Sequence, residues 1–209
     1  MLKKIFMNKL FYLLIVLFSF SSFAKSQNTM LLVTGKKLDI GEFKLNKGDY
    51  ISYKNQKGKL KSIAKQDVFS INSNTGKETL IYTPDLSDTS AFTIPQMRDY
   101  VTGAYDARSS YKTPWLTSAG FIIGGSSVGL TAAGMSALLI PVLPVTYSAG
   151  VGIFKMKKEK LQFPDNLKNN DYYTEGYLNR VNRKRENHAI LGTIIGMAAG
   201  TIAVIAFAK

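Results

Sequence analysis

The chain has 209 residues, a formal net charge of +13, no cysteine and a single histidine, His188. Without cysteine there are no disulfides or thiolate metal sites, and one imidazole cannot build a histidine-based zinc site. That length allows one or two modest domains, with apolar residues gathered in Leu10–Phe20, Trp115–Phe154 and Ala189–Ala208.

Residues 1–24 read as a signal peptide. Lys3, Lys4 and Lys9 lead into the apolar core LFYLLIVLFSF, and Ser22-Phe23-Ala24 supplies the small residues of a cleavage site. Removing those three lysines leaves 24 basic against 14 acidic residues. Bacterial envelope localisation follows, with Lys25 emerging outside the inner membrane.

Residues 25–83 are expected to form a small exported β module. The runs MLLVT, GDYISYKN, GKLKSIAK, QDVFSIN and ETLIYT, with KLDIGEF as a weaker candidate, are separated by turns at Asn46-Lys47-Gly48-Asp49, Gln56-Lys57-Gly58 and Asn74-Thr75-Gly76. Alternation pairs Ile51 with Tyr53, Phe69 with Ile71 and Leu80 with Tyr82 on one face each. The expectation is an antiparallel meander or barrel-like module of five or six strands. Its lysines lack an interleaved aromatic face, so nucleic acid is not an expected partner. A solvated basic surface is expected instead, with weak contact to anionic envelope polymers as the alternative.

Residues 84–95 read as a linker. Beyond it Tyr100, Ala104, Ala107 and Tyr111 mark one helix face, in a juxtamembrane helix that leads into a transmembrane hairpin over residues 96–155. Residues 156–209 hold a basic loop, a second juxtamembrane helix and a last membrane helix. At an offset of 72, Asp99–Gly124 lies over Asp171–Gly196 without a gap, and ten of 26 positions agree. An internal repeat is therefore predicted, each copy an aromatic, charged helix leading into a glycine-spaced apolar one.

From Trp115 to Phe154 there are 40 residues without a charge, about twice what one crossing needs. This predicts two crossings that turn near Ala133-Gly134, with Met135–Phe154 running back and Ala189–Ala208 as the third. The fold class is α+β membrane protein with about three transmembrane helices. Close packing in lipid uses small residues. Two glycine-zipper stripes are thus expected to pack helices: Gly120 and Gly124, overlapped by Gly125 and Gly129, and Gly192, Gly196 and Gly200. This topology places the segment 155–188, with nine basic and five acidic residues, outside, against the rule that such loops stay cytoplasmic.

No ionisable residue lies inside the three apolar runs except at their margins, which disfavours an ion-coupled transporter. No catalytic constellation, metal site or cofactor motif is found, and His188 reads as an interfacial histidine. The best polar constellation is Asp99, Tyr100, Tyr105, Asp106 and Arg108, echoed by Asp171, Tyr172, Tyr177 and Arg180. It reads as an interfacial aromatic belt or a docking surface for an extracytoplasmic partner. The stretches GDYISYKNQKGKLKSIAKQDVFSINSNTGKETLIY and MRDYVTGAYDAR resemble a group of bacterial envelope proteins in which a short β module precedes glycine-rich membrane helices. That resemblance covers Ile40–Gly129 and carries no activity. The expectation is a non-enzymatic scaffold, assembly or sensing component, in contact with membrane lipid and assembled as a homo-oligomer or with an envelope partner. A pore lined by Ser118, Ser126, Ser127 and Thr131 is the rival.

Overall fold

Three glycines with positive φ, Gly35 (70°), Gly58 (74°) and Gly76 (82°), set the tight turns of the N-terminal module in this computed structural model. The structure describes residues 28–46, 48–85, 87, 90–164 and 166–207. The predicted signal peptide, 1–24, lies outside the described residues. Six strands follow in chain order: β1 Asn28–Leu32, β2 Lys37–Leu45, β3 Tyr50–Asn55, β4 Leu60–Ala64, β5 Val68–Asn72 and β6 Glu78–Leu80. All pairs are antiparallel and the order is β4-β3-β2-β1-β5-β6. The first four strands are a meander. A single 3-10 turn, Lys65–Asp67, then carries the chain back so that β5 pairs with the free side of β1.

The run that looked weakest, KLDIGEF, belongs to the longest strand. Its glycine, Gly41, sits where the β2–β3 register slips between Ile40 and Phe43, so the bulge absorbs the residue that weakened the alternation. Met30, Leu32, Ile40, Ile51, Tyr53, Val68 and Ile71 form the sheet's core. Phe69 is buried outside that cluster, its ring against Tyr82 and beneath the Arg98 guanidinium. It is thus one of the sheet's contacts with the helices.

Among the described residues four α-helices follow: α1 Ile94–Ser110, α2 Pro114–Ala132, α3 Leu139–Ile153 and α4 Asp171–Phe207. Thr93 N–H donates to Gln96 Oε1 at 2.9 Å, closing the start of α1. Pro114 opens α2 because its missing N–H is an orphan there anyway. In the second repeat copy Glu186 occupies the equivalent place, so nothing interrupts the 37-residue α4. The turn between α2 and α3 falls at Gly134, φ 94°, as the sequence predicts.

The expectation of about three transmembrane helices is corrected. Among the described residues one helix, α4, is long and apolar enough to cross a membrane. Ser136, Ala137 and Leu138 are spent on the turn, which leaves α3 only 15 residues, about 22 Å at the helical rise. At 19 residues and bounded by Pro114 and Gly134, α2 is about 28 Å long and dilutes its apolar residues with glycine, serine and threonine.

The sheet is fastened to α1. Arg98 forks onto Glu78 of β6 at 3.1 and 2.9 Å, and Lys37 Nζ lies 3.9 Å from the Tyr105 ring centre. The Arg98 hydrogen bond holds the Glu78 carboxyl below the usual glutamate range. A depressed carboxyl contributes stability that is present above its unfolded value and is lost as pH falls through its folded value. Replacing Glu78 by Gln should therefore cost up to about 1 kcal/mol at neutral pH, since the pair is partly exposed. Acid unfolding curves of the two proteins should converge at low pH; a constant gap would show that the fork contributes nothing.

Candidate functional site

The two repeat copies pack on each other, side by side and parallel, along their whole length. A Cβ added at Gly120 would come within 2.7 Å of the Ala189 carbonyl oxygen. Its repeat mate Gly192 faces the Thr117 carbonyl, and residues 117 and 189 are themselves mates. One turn on, Gly124 overlaps the Thr193 carbonyl, while its mate Gly196 overlaps the Phe121 carbonyl. The contact is a pseudo-two-fold within one chain, with the backbone of each copy against the glycines of the other.

One member of the predicted stripes needs correction: an added Cβ at Gly129 has nothing within 4 Å, whereas one at Gly125 would still meet the Gly196 carbonyl at 3.5 Å, an ordinary packing contact. A Cβ added at Gly200 would come within 3.0 Å of the Gly125 carbonyl oxygen, and here its repeat mate is Val128 rather than glycine. Conversely Gly103 and Gly176, which the stripe pattern did not include, meet the carbonyls of Tyr173 and Tyr100 and extend the seam upward. They stand one position apart in the repeat alignment, TGAY against TEGY, so a strict register conceals them.

The polar constellation that reads as a docking surface is largely turned inward. Tyr173 OH donates to Asp106 Oδ2 at 2.9 Å, Gln96 Nε2 to Tyr172 OH at 2.6 Å and Asn170 Nδ2 to Asp99 Oδ2 at 2.7 Å. Asn179 Nδ2 reaches Tyr100 OH at 3.2 Å, and Tyr177 OH shares a hydrogen bond with Ser110 at 3.0 Å. Tyr105 lies under Lys37, and Asp171 pairs with Lys158 at 3.8 Å on the surface. Burial first, and then the bond to Asp106, push the Tyr173 hydroxyl far above the usual tyrosine range, so it stays a neutral donor. Phe163, from the segment after α3, stacks edge-on against Tyr173 and Tyr177 and closes this cluster.

Below it, where α4 turns apolar, cations collect. Lys184 Nζ donates to the carbonyls of Arg108 and Tyr111 at the end of α1. Arg185, 9% exposed, donates to Phe154 O at 2.8 Å just past α3. Both finish helix ends whose last carbonyls lack partners. Burial depresses the basicity of Arg108, Arg180 and Lys184, and the neighbouring cations add to it for Arg180 and Lys184. None of Arg108, Arg180, Arg183 and Lys184 has a carboxylate ion-pair partner among the described residues. The Nε atoms of Arg108 and Arg180 are buried without a hydrogen-bond partner.

A polar groove of about 410 Å³ opens between the β1–β2 turn, α1 and α4, and Lys155, Arg180, Arg183 and Glu186 line it. Thr117 Oγ1 bonds His188 Nδ1 at 2.7 Å, so the lone histidine is a bridge between the copies at the polar–apolar boundary. Chemically the arrangement is suited to holding an anion, and among the described residues no three acidic or histidine side chains converge as a metal cage. The protein is thus an antiparallel sheet docked on a two-copy parallel helix bundle. A scan against protein families, a search of curated proteins and a search of solved structures return no match, and nothing there supports the resemblance to envelope proteins.

Proposed function

We propose that the protein is a non-enzymatic membrane scaffold of the bacterial envelope, in which the helix bundle holds the sheet rigidly at the membrane surface. One observation carries the reading. Large apolar side chains stand exposed on α2, α3 and the second half of α4, among them Ile122, Val145, Ile153, Ile202 and Ile205, each more than 60% exposed. A water-facing surface of that extent is unusual for a monomer, whereas in lipid it is the ordinary outer face of a bundle. The α2–α3 hairpin enters the bilayer beside α4, returning the chain to the side it left.

The glycines are spent on the contact between the copies, which favours a scaffold over a pore. Two of the four hydroxyls of the rival reading also turn back on their own helix: Ser127 donates to Gly124 O at 2.7 Å and Thr131 to Ser127 O at 3.0 Å.

The sheet and segment 155–188 share one side, since Val33, Thr34, Lys155 and Arg183 line the same groove. Export and the charge rule thus pull the same face in opposite directions. Single cysteines in the cysteine-free chain resolve this. Ser62 and Lys157 should label together from outside the cell, and Ser136, at the tip of a hairpin that enters the bilayer and returns, from neither side with an impermeant reagent. If Ser136 labels only from within, the hairpin crosses and this reading of it fails; if the chain partitions into buffer without detergent, the membrane reading fails.

A further inference from the structure

The groove beside Arg183 does not end there. Glu186 lines it and also lines an apolar fissure of about 560 Å³ between α3 and α4, walled by Val145, Ala149, Ile190, Ile194 and Met197. A cationic mouth and an apolar slot therefore adjoin at Glu186, along the face that the preceding reading places in lipid. From Glu186 to Met197 the slot follows α4 for about 16 Å at the helical rise.

We propose that this crevice is a binding site for a net-negative phospholipid, its phosphate against Lys155, Arg180 and Arg183 and an acyl chain between α3 and α4. Three features select that occupant. The mouth holds three cations and one carboxylate, and none of the cations has an ion-pair partner among the described residues. Arg180, which lines the mouth, keeps a buried Nε without a hydrogen-bond partner, a donor the protein leaves unmet. The slot is apolar along its walls, which suits a hydrocarbon chain and not a soluble anion.

The proposal rests on the membrane reading, and the experiment separates them. Flotation of the full chain with phosphatidylcholine vesicles tests membrane association alone, and failure to float overturns both. Binding of fluorescent phosphatidylglycerol and phosphatidylcholine to the full chain in neutral detergent tests the site. Phosphatidylglycerol should bind at least tenfold more tightly. Arg183→Gln, at an exposed position, should weaken it about fivefold with little effect on phosphatidylcholine. Ala149→Trp should fill the slot and lower retention of both lipids. Equal affinity for the two lipids, or no change in either variant, overturns the proposal. Displacement of the lipid by inorganic phosphate at millimolar concentration also overturns it, since the site would then belong to a soluble anion.

Discussion

Gly124→Leu should separate the two repeat copies and cost the protein more than about 3 kcal/mol of stability, beyond the range usual for overpacking a core. The reason is what the new side chain would meet. At Gly124 it falls on the backbone carbonyl of Thr193 and beside the amide of Met197, and backbone in a helix cannot rotate away as a side chain does. Gly196→Leu should behave alike, since its Cβ overlaps the Phe121 carbonyl in the mirrored contact. Gly129→Ala is the internal control. It has open space around it, and replacing an exposed helical glycine with alanine should raise stability by up to about 1 kcal/mol. Thermal unfolding in detergent, read with a crosslink between the copies, would measure all three. If Gly124→Leu and Gly129→Ala shift the midpoint alike, the glycines are composition and not a seam.

That contrast shows where sequence reasoning reaches and where it stops. Repetition was legible because a gapless offset carries both copies, and the offset also pairs the glycines of one copy with the backbone of the other. The turn at Gly134 was legible because 40 uncharged residues exceed one crossing. Spacing alone could not separate Gly124 from Gly129, since both lie in register and only distance to a neighbouring helix distinguishes them. Nor could it show that Asp106, Tyr172 and Tyr177 face the other copy, because an aromatic belt and a buried seam use the same residue types. The length of α3 escaped because hydropathy counts Met135–Leu138 as helix, while a turn through Gly134 consumes them. The anion groove escaped for a different reason: Lys155 comes from a segment remote from Arg180 and Arg183 and joins them only after α3 folds back.

Gly35→Val should detach the sheet from the helices while leaving each folded. Gly35 stands at φ 70°, where a β-branched residue is strained by about 1–2 kcal/mol. Its Cβ would also overlap the Tyr105 amide nitrogen and the Ala104 carbonyl carbon, so the β1–β2 turn could no longer lie on α1. What remains of the junction includes the Arg98–Glu78 fork, the Arg98 guanidinium over Phe69 and the Lys37–Tyr105 contact, interactions worth about 1 kcal/mol or less each. They are too weak to hold a turn that no longer fits. The sheet keeps its own core of Met30, Ile40, Ile51 and Ile71, so its far-UV signal should persist. Limited proteolysis should then cut between Thr83 and Thr93, and amide exchange at Ala104 and Tyr105 should rise. Gly58→Val isolates the cause, because Gly58 shares the positive φ at 74° but has nothing within 4 Å. Strain without collision should leave the junction closed. If the two variants are cut at the same rate, the close approach at Gly35 is not what joins the sheet to the bundle. If only Gly35→Val opens, a single glycine couples the sheet to the seam between the copies, and the groove loses its wall at Val33 and Thr34.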